Sequence, residues 1–503
     1  MRIERAVKAA IAPIRSRSRV RSGPPATGRF PDGGRLVLET TPILELSTAA
    51  GGRGPEKFAR GLRNDRAYNL PMDPASWTVR SLRTALANGT VQPSALADQA
   101  LACANQNAGH NTYLWRDAAW TRAEAARAEA MPRGEGGPFG DGRGPIWGVP
   151  ISVKDCFDLA GAPTSCGTHF YRELNGNAVG DSWLVERLRA AGAVITGKTH
   201  LHPLAYGITG ENPEFGDCLQ PQDSTALTGG SSSGAAASVQ EGSAVFAIGT
   251  DTGGSIRAPA ALCGLAGYRA SVGLGDWRGG AHLAESFDTM GCLFRDLRDA
   301  PLFAGLFAPE PTTQSVNFTR FAVVDDSFFH DCEPSVLSNL QSTVRALGDL
   351  GLHSSRIDAG WWADSFNIFA PIQASEAARI HAGHFDRFET SIRERLEWGA
   401  NISTPELTAL RKRREAFRNR MDELLATHEL ILLPATPVAR LTAGADHSKT
   451  RSRLLRYTTP FSLTGAPVVT IPFAVGGMQL AAARGFDEAL LQLASRLANL
   501  VSK

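Results

Sequence analysis

The chain of 503 residues is 43% hydrophobic and 20% charged, with a formal net charge of only +2. This length and apolar content suffice for one large α/β domain or for two smaller domains. No run of 18 apolar residues occurs, which excludes a transmembrane helix within the sequence. The seven cysteines lack CxxC spacing, so we expect reduced, mostly buried thiols and a cytoplasmic location.

The positive charge is concentrated in the first 66 residues, which hold 14 Lys and Arg against 6 Asp and Glu. This segment has no sustained apolar face, so we expect residues 1–70 to form a basic, disordered extension. It also lacks the apolar region of a secretory signal. We prefer an unstructured tail, or translation from an upstream start codon ahead of Met72, to a transit peptide or a nucleic-acid arm.

From residue 71 onward, helical and strand-like segments alternate. Two helices are predicted over residues 76–106, with a break at Asn88–Gly89, and an Ala-rich helix over 118–131. The strand candidate GPIWGVPISVKDCF is followed by a helix that stops at Gly192 and by the strand AVIT. A glycine-serine turn, a helix of small residues, the strand AVFAIG and a second turn then occupy residues 227–264.

The C-terminal half continues this alternation. Residues 333–355 and 374–428 have helical patterns, and ELILLPATP follows as a buried strand. The segment YTTPFSLTGAPVVTIPFAV supplies a further strand, and FDEALLQLASRLANLV is an amphipathic closing helix. The alternation favours a sheet covered by helices.

Three segments contain residue types suited to acyl transfer. Lys154 lies in the strand-like GVPISVKDCFD, Ser231 in the turn GGSSSG, and Ser255 in the turn GTDTGGSIRAPA. A lysine on a strand, a glycine-serine linker and a glycine turn are each ordinary features. Together they can supply a nucleophile and its base, which indicates acyl transfer without histidine and without metal.

Two other pattern matches are weaker. Gly192–Thr199 fits a phosphate-binding P-loop, but the AVIT inside it is strand-like where that loop must be flexible. The run from Gly230 to Gly234 fits a nucleophile elbow, but the preceding QPQDSTALTG is polar and turn-like. We therefore expect neither motif to operate.

We assign no catalytic or metal-binding role to the two histidine pairs. His200 and His202 flank a strand end, and His381 and His384 lie three residues apart on a helix. No third ligand stands at a suitable spacing, so we expect no metal site.

At GTDTGGSIRAPA, GGSSSG and GVPISVKD, the chain resembles the amidase signature family. The resemblance extends over about residues 72–497, including GKTHLHPLAYGITGENPEFGDCLQPQD, FDTMGCLFRDL and the C-terminal strands. Two departures occur: Cys156 stands where members often have Asn, and the tail GGMQLAAARGFDEALL is shortened. The second is expected to reshape the substrate mouth.

The resemblance implies a Ser–cis-Ser–Lys triad in a single α/β domain, residues 71–503, with a mixed central sheet and helices on both faces. By motif, Ser255 is the nucleophile, Ser231 the bridging serine preceded by a cis peptide bond, and Lys154 the base. The physical chemistry agrees, because a lysine becomes a base when burial lowers its pKa. Alternation along the strand sends the neighbouring Asp155 side chain to the opposite face.

The second serine turn adds backbone donors. The N–H groups expected to converge on an oxyanion are those of Thr252, Gly253, Gly254 and Ser255. Asp251 and Arg257 are interpreted as structural charges that brace this turn rather than as substrate contacts.

The predicted function is hydrolysis of a small carboxylic amide through an acyl-enzyme, without a cofactor. A homodimer is an open possibility, and neither membrane nor nucleic acid is expected as a partner. The resemblance leaves a second function open, the glutaminase-type A subunit of a tRNA-dependent amidotransferase, which would pass ammonia to partner subunits. A hypothesis from another class is a nucleotide-binding protein that uses Gly192–Thr199.

Overall fold

The computed structural model of the protein describes residues 73–308 and 316–501. The basic extension and its expected disorder lie outside the described residues. The helices are α1 Val79–Ala87, α2 Pro93–Gln106, α3 Ala118–Glu129, α4 His169–Asn175, α5 Trp183–Ala190, α6 Ser233–Glu241, α7 Arg257–Leu262, α8 Pro334–Asp349, α9 Ser365–Ile380, α10 Thr390–Ala400, α11 Thr404–His428, α12 Ser448–Thr464 and α13 Asp487–Val501.

Local sequence signals fix several helix ends. Thr78 caps α1, since its side chain accepts a hydrogen bond from Ser81 N–H while Ser81 Oγ accepts one from Thr78 N–H. Ser182 caps α5 with a single contact, since its side chain accepts a hydrogen bond from Val185 N–H. Gly192, with φ of +81°, lies just beyond the end of α5, where the chain turns into the next strand.

The strands are β1 Tyr113–Trp115, β2 Pro150–Lys154, β3 Val194–Thr199, β4 Leu219–Gln220, β5 Asp223–Leu227, β6 Phe246–Asp251, β7 Ala266–Arg269, β8 Thr289–Phe294, β9 Arg320–Val324, β10 His353–Ile357, β11 Leu430–Pro434, β12 Val468–Ile471 and β13 Met478–Ala482. Eleven of them form one sheet in the order β1-β3-β2-β6-β8-β7-β12-β13-β11-β9-β10. β4 and β5 make a separate hairpin.

The large sheet is mixed. β2 runs parallel to both β3 and β6, whereas β6, β8, β7, β12, β13 and β11 pair antiparallel in succession. β11, β9 and β10 are again parallel to one another. Because β2 and β6 are parallel neighbours, their carboxyl ends lie at the same end of the sheet.

Both faces of the sheet are covered. Every residue of β2, β3, β6, β8, β11, β12 and β13 is buried. Because successive side chains point to opposite faces, uninterrupted burial requires packing on each side. The predicted single α/β domain with a helix-covered mixed sheet is confirmed. No described helix is long and apolar enough to cross a membrane, and the seven cysteines are free and buried.

Three sequence expectations meet the structure differently. The P-loop match is excluded as expected, because Val194–Thr199 is a buried strand and Lys198 Nζ lies 2.6 Å from Asp155 Oδ1. The segment QPQDSTALTG was interpreted as polar and turn-like, whereas its residues Asp223–Leu227 pair as strand β5. The strand predicted over 457–475 is limited to Val468–Ile471, and the residues before it end α12.

Candidate active site

The candidate site lies at the carboxyl ends of the neighbouring strands β2 and β6. Lys154 is the last residue of β2, and Ser255 follows the end of β6 at Asp251 by four residues. Ser231 stands two residues before α6, which packs on this part of the sheet. Ser232 N–H donates to Ser255 O at 3.2 Å, which ties the two serine turns together. The fold thus brings the three predicted triad residues to one region.

Lys154 is fully buried and surrounded by hydroxyl groups. Its Nζ donates to Ser231 Oγ at 2.8 Å, Ser232 Oγ at 3.1 Å and Thr250 Oγ1 at 2.7 Å. Within the described chain, no carboxylate forms an ion pair with it. The neighbouring Asp155 instead pairs with Lys198, as the predicted alternation along the strand requires.

This environment changes the protonation of Lys154. Burial lowers the pKa of Lys154 to about 8, partly opposed by the charges of Cys156, Asp251 and Asp288. The cause is the loss of hydration, which disfavours the ammonium form in an enclosed site. A sizeable neutral fraction near pH 8 makes the amine available as a base.

The two serines differ in their contacts. The Gly230–Ser231 peptide bond is cis, as the resemblance implies, and Ser231 Oγ accepts its hydrogen bond from Lys154. Ser255 is 5% exposed, and its hydroxyl makes no hydrogen bond to another described residue. The Lys154–Ser231 half of the expected relay is therefore formed, whereas the Ser231–Ser255 half is open in this structure. Such contacts commonly tighten only when substrate binds.

The second turn places its backbone close to other groups. Gly254 has φ of +128°, and a Cβ there would lie 2.8 Å from Thr458 Oγ1. Its N–H donates to Asp251 Oδ1 at 2.9 Å, so Gly254 is not free to donate to an oxyanion, a correction to the predicted set. The N–H groups of Gly253 and Ser255 have no hydrogen-bond partner among the described residues. They and the Thr252 N–H stay predicted donors.

Asp251 joins the turn to two buried arginines. Its carboxylate contacts Arg257 Nη2 at 2.9 Å and Arg269 Nη1 at 2.7 Å, and it accepts the Ile256 N–H at 3.1 Å. Burial alone would raise the pKa of Asp251, but the two guanidinium groups hold it below its usual value. The carboxylate therefore stays charged and fixes the backbone of the turn.

A small pocket opens at Ser255. Its walls come from the loop after β3, the second serine turn and two helices, α9 and α12. The lining residues are Ala205, Tyr206, Gly207, Ile208, Gly253, Ser255, Gln373, Arg451 and Leu455. The predicted nucleophile thus lies in the wall of a pocket that is open to solvent on one side.

Comparison with known proteins agrees with this geometry. A family model described as Amidase matches residues 99–491. The chain belongs to the amidase family. The indoleacetamide hydrolase of Pseudomonas savastanoi is 29% identical, over 84% of this chain and 96% of that protein. The A subunit of the glutamyl-tRNA(Gln) amidotransferase of Roseiflexus castenholzii is 30% identical, over 82% of this chain and 93% of that protein.

A solved amidase structure extends the likeness to the fold. It superposes with a TM-score of 0.75 at 29% identity, covering 84% of this chain and 100% of the other. The sequence-based assignment to the amidase signature family is confirmed. Membership in the amidase family supports general amide hydrolysis as the activity.

The amidase site contains residues that the sequence analysis missed. Ser232 and Thr250 share the Lys154 ammonium, and Arg269 shares the Asp251 carboxylate. Ser232 is fully buried and donates to Thr250 O, so it does not stand exposed as the serine of a nucleophile elbow would. The position of Ser232 beside Ser231 in GGSSSG could have indicated its contact with Lys154. Arg269 lies fourteen residues after Ser255, and no sequence motif marks its contact with Asp251.

The histidines stand in separate polar contacts. His200 Nε2 lies 2.9 Å from Gly216 O, and His381 Nδ1 lies 2.7 Å from Tyr171 OH. Burial lowers the pKa of His200 to about 4 and that of His381 to about 3, so both rings are neutral near pH 7. In the described ranges, no three His, Cys, Asp or Glu side chains group as metal ligands.

Proposed function

We propose that this amidase hydrolyses a small linear carboxylic amide to an acid and ammonia or an amine, with Ser255 as the nucleophile. The observation that supports this best is the buried Lys154, whose lowered pKa and 2.8 Å contact with Ser231 suit a base that acts through a hydroxyl. Hydrolysis of this kind needs no cofactor.

In the acylation step, Ser255 Oγ attacks the amide carbon, and its proton passes through Ser231 to the neutral amine of Lys154. The carbonyl oxygen becomes an oxyanion that the N–H groups of Gly253 and Ser255 can stabilise. Collapse of the tetrahedral intermediate breaks the carbon–nitrogen bond, and the leaving amine takes the proton back along the same route. An ester on Ser255 remains.

In the deacylation step, water attacks this ester and gives one proton to Lys154 through Ser231. Breaking the ester bond returns that proton to Ser255 Oγ and releases the carboxylic acid. The same relay thus serves both half-reactions, and protons balance over the cycle.

A serine-directed fluorophosphonate probe tests the nucleophile. We expect the label on the peptide that contains Ser255, and we expect Ser255→Ala to lose both labelling and amide hydrolysis while keeping its fold. The exposed Ser338→Ala serves as a matched control and should retain both. Retention of more than about a thousandth of the activity in Ser255→Ala would refute the assignment.

The second candidate function is the glutaminase-type A subunit of an amidotransferase, which the similarity to the Roseiflexus castenholzii protein favours. Such a protein would release ammonia from glutamine for use by partner subunits. An activity assay distinguishes the two functions, because a stand-alone amidase hydrolyses its amide substrate without added subunits. Purification from the native host, followed by mass spectrometry, would reveal stable partner subunits if the second function is correct.

A further inference from the structure

Arg451 is a group of the pocket that the proposed mechanism leaves unused. It lies in the first turns of α12 and lines the same pocket as Ser255 and Gln373. Its Nε is buried without a hydrogen-bond partner, and no described residue forms an ion pair or hydrogen bond with its guanidinium. By contrast, Arg257 and Arg269 beside the second serine turn both pair with the Asp251 carboxylate.

The surroundings of Arg451 disfavour its charged form. Burial, together with repulsion from Arg395, lowers the pKa of Arg451 to about 10, so the guanidinium still carries its charge at neutral pH. Arg395 offers no anion, since its own guanidinium donates to Ser391 O at 2.9 Å and stacks over the Tyr206 ring. Burial also raises the pKa of Tyr206, which keeps its hydroxyl neutral.

Arg451 is partly buried, and a cation without a partner in such a place loses hydration that nothing in the described chain replaces. A carboxylate is the smallest organic anion that a guanidinium binds through two parallel hydrogen bonds, and its single charge matches the one arginine in the pocket wall. The side chain of Gln373 has no hydrogen-bond partner among the described residues and can donate to the same anion.

We propose that Arg451 binds a carboxylate on the acyl part of the substrate, so that the preferred substrates are small amides of dicarboxylic acids. This rests on the proposed function, because it assumes that the scissile amide lies at Ser255. An acyl-side carboxylate stays in the pocket during both half-reactions, so one arginine can orient the substrate throughout. The small size of the pocket favours short chains.

The test uses matched pairs of amides that differ in charge. The monoamides of malonic, succinic and glutaric acid are compared with propionamide, butyramide and valeramide, and kcat/KM is measured from ammonia release. We expect at least one monoamide to exceed its neutral counterpart by about tenfold to a hundredfold, the range typical of a charge-assisted hydrogen bond. Arg451→Met should remove this preference, and Arg451→Lys should restore part of it.

Lys449→Met supplies the matched control. Lys449 is an exposed cation on the same helix, and its substitution removes the same charge without altering the pocket wall. We expect this variant to keep the wild-type preference. Equal kcat/KM for every charged and neutral pair in the wild type, or an unchanged preference in Arg451→Met, would overturn the proposal.

A binding measurement separates this proposal from the catalytic one. Calorimetry with Ser255→Ala protein should detect the preferred monoamide and not its neutral counterpart, and binding should disappear when Arg451→Met is added. Binding in this pattern without turnover in the wild type would reject the nucleophile assignment and keep the carboxylate site. Turnover of neutral amides together with no selective binding would reject the carboxylate site alone.

Discussion

Lys154 Nζ and Ser231 Oγ are joined by a 2.8 Å hydrogen bond in the interior of the protein, at the end of a central strand. The contact is made to a hydroxyl rather than to a carboxylate, which leaves the charge of the lysine uncompensated. Burial can then lower its pKa to about 8, a shift that a close ion pair would oppose. Stable positioning and basicity therefore come from the same arrangement.

The two adjacent serines that contact this lysine allow a direct comparison. Ser231→Ala should lower kcat/KM by about a hundredfold to ten-thousandfold, because it interrupts the proposed proton route. Ser232→Ala removes the longer, 3.1 Å contact with Lys154 together with the hydrogen bonds between Ser232 and the Thr250 backbone. It leaves the proposed proton route intact and should lower kcat/KM by less than about tenfold. Steady-state kinetics on both variants, with thermal melts as a check of folding, measure the difference. Equal losses would mean that Ser231 has no special place in the relay.

The activity should depend on pH through Lys154. The base must be neutral, so kcat/KM should rise with pH and level off above a pKa of about 8, falling tenfold for each pH unit below it. Lys154→Ala should lose nearly all activity, and whatever remains should lack this acid limb. A residual activity that keeps the limb unchanged would assign the ionisation to another group.

The sequence predicted the parts of the site that depend on local patterns. The strand-like PISVK and AVFAIG became β2 and β6, because short apolar runs bounded by glycine turns favour buried strands. Lys154, Ser231 and Ser255 were predicted because their motifs are distinctive, and their catalytic roles stay predictions. The helix-then-strand pattern before Thr199 also explained why the P-loop match was false.

Contacts between distant segments could not be predicted in this way. Arg451 reaches the pocket from α12, almost two hundred residues after Ser255, and no local pattern marks it. The Gly254 N–H was predicted as a free donor, but the Asp251 carboxylate three residues earlier accepts its hydrogen bond. The end of α12 was assigned to a strand because its Thr and Phe residues favour strands, whereas tertiary packing holds it as a helix.

The basic extension should be dispensable. A chain that begins at Met72 retains every predicted catalytic residue and all of the helices and strands described here. We expect it to fold and to match the full-length protein in turnover, since the sequence of residues 1–66 is highly charged and has no sustained helical apolar face. Thermal melts and kinetics on both lengths measure this. The exception within the extension is RLVLETTPILELS, residues 35–47, which is apolar enough to pack on the domain. A melting temperature lower by more than a few degrees would mean that this segment does so.

The buried ion pairs of Asp251 with Arg257 and Arg269 should contribute strongly to stability. Asp251→Asn would leave Arg257 and Arg269 buried without their anion, and we expect the free energy of unfolding to fall by about 3–5 kcal/mol. Asp326→Asn is the matched control, because its pair with Arg356 is exposed, and it should lower the free energy of unfolding by less than about 1 kcal/mol. Urea titration at pH 7 measures both values.

The difference in the free energy of unfolding between wild type and Asp251→Asn should depend on pH in a defined way. The folded pKa of Asp251 lies below that of the unfolded chain, so its stabilisation is complete above the ordinary carboxyl pKa and is lost as the pH falls through the folded value. The gap between wild type and Asp251→Asn should therefore stay constant from pH 6 to pH 8 and narrow only in strong acid. A gap that already closes near pH 6 would show that the carboxylate is not held in its charged form by the two arginines.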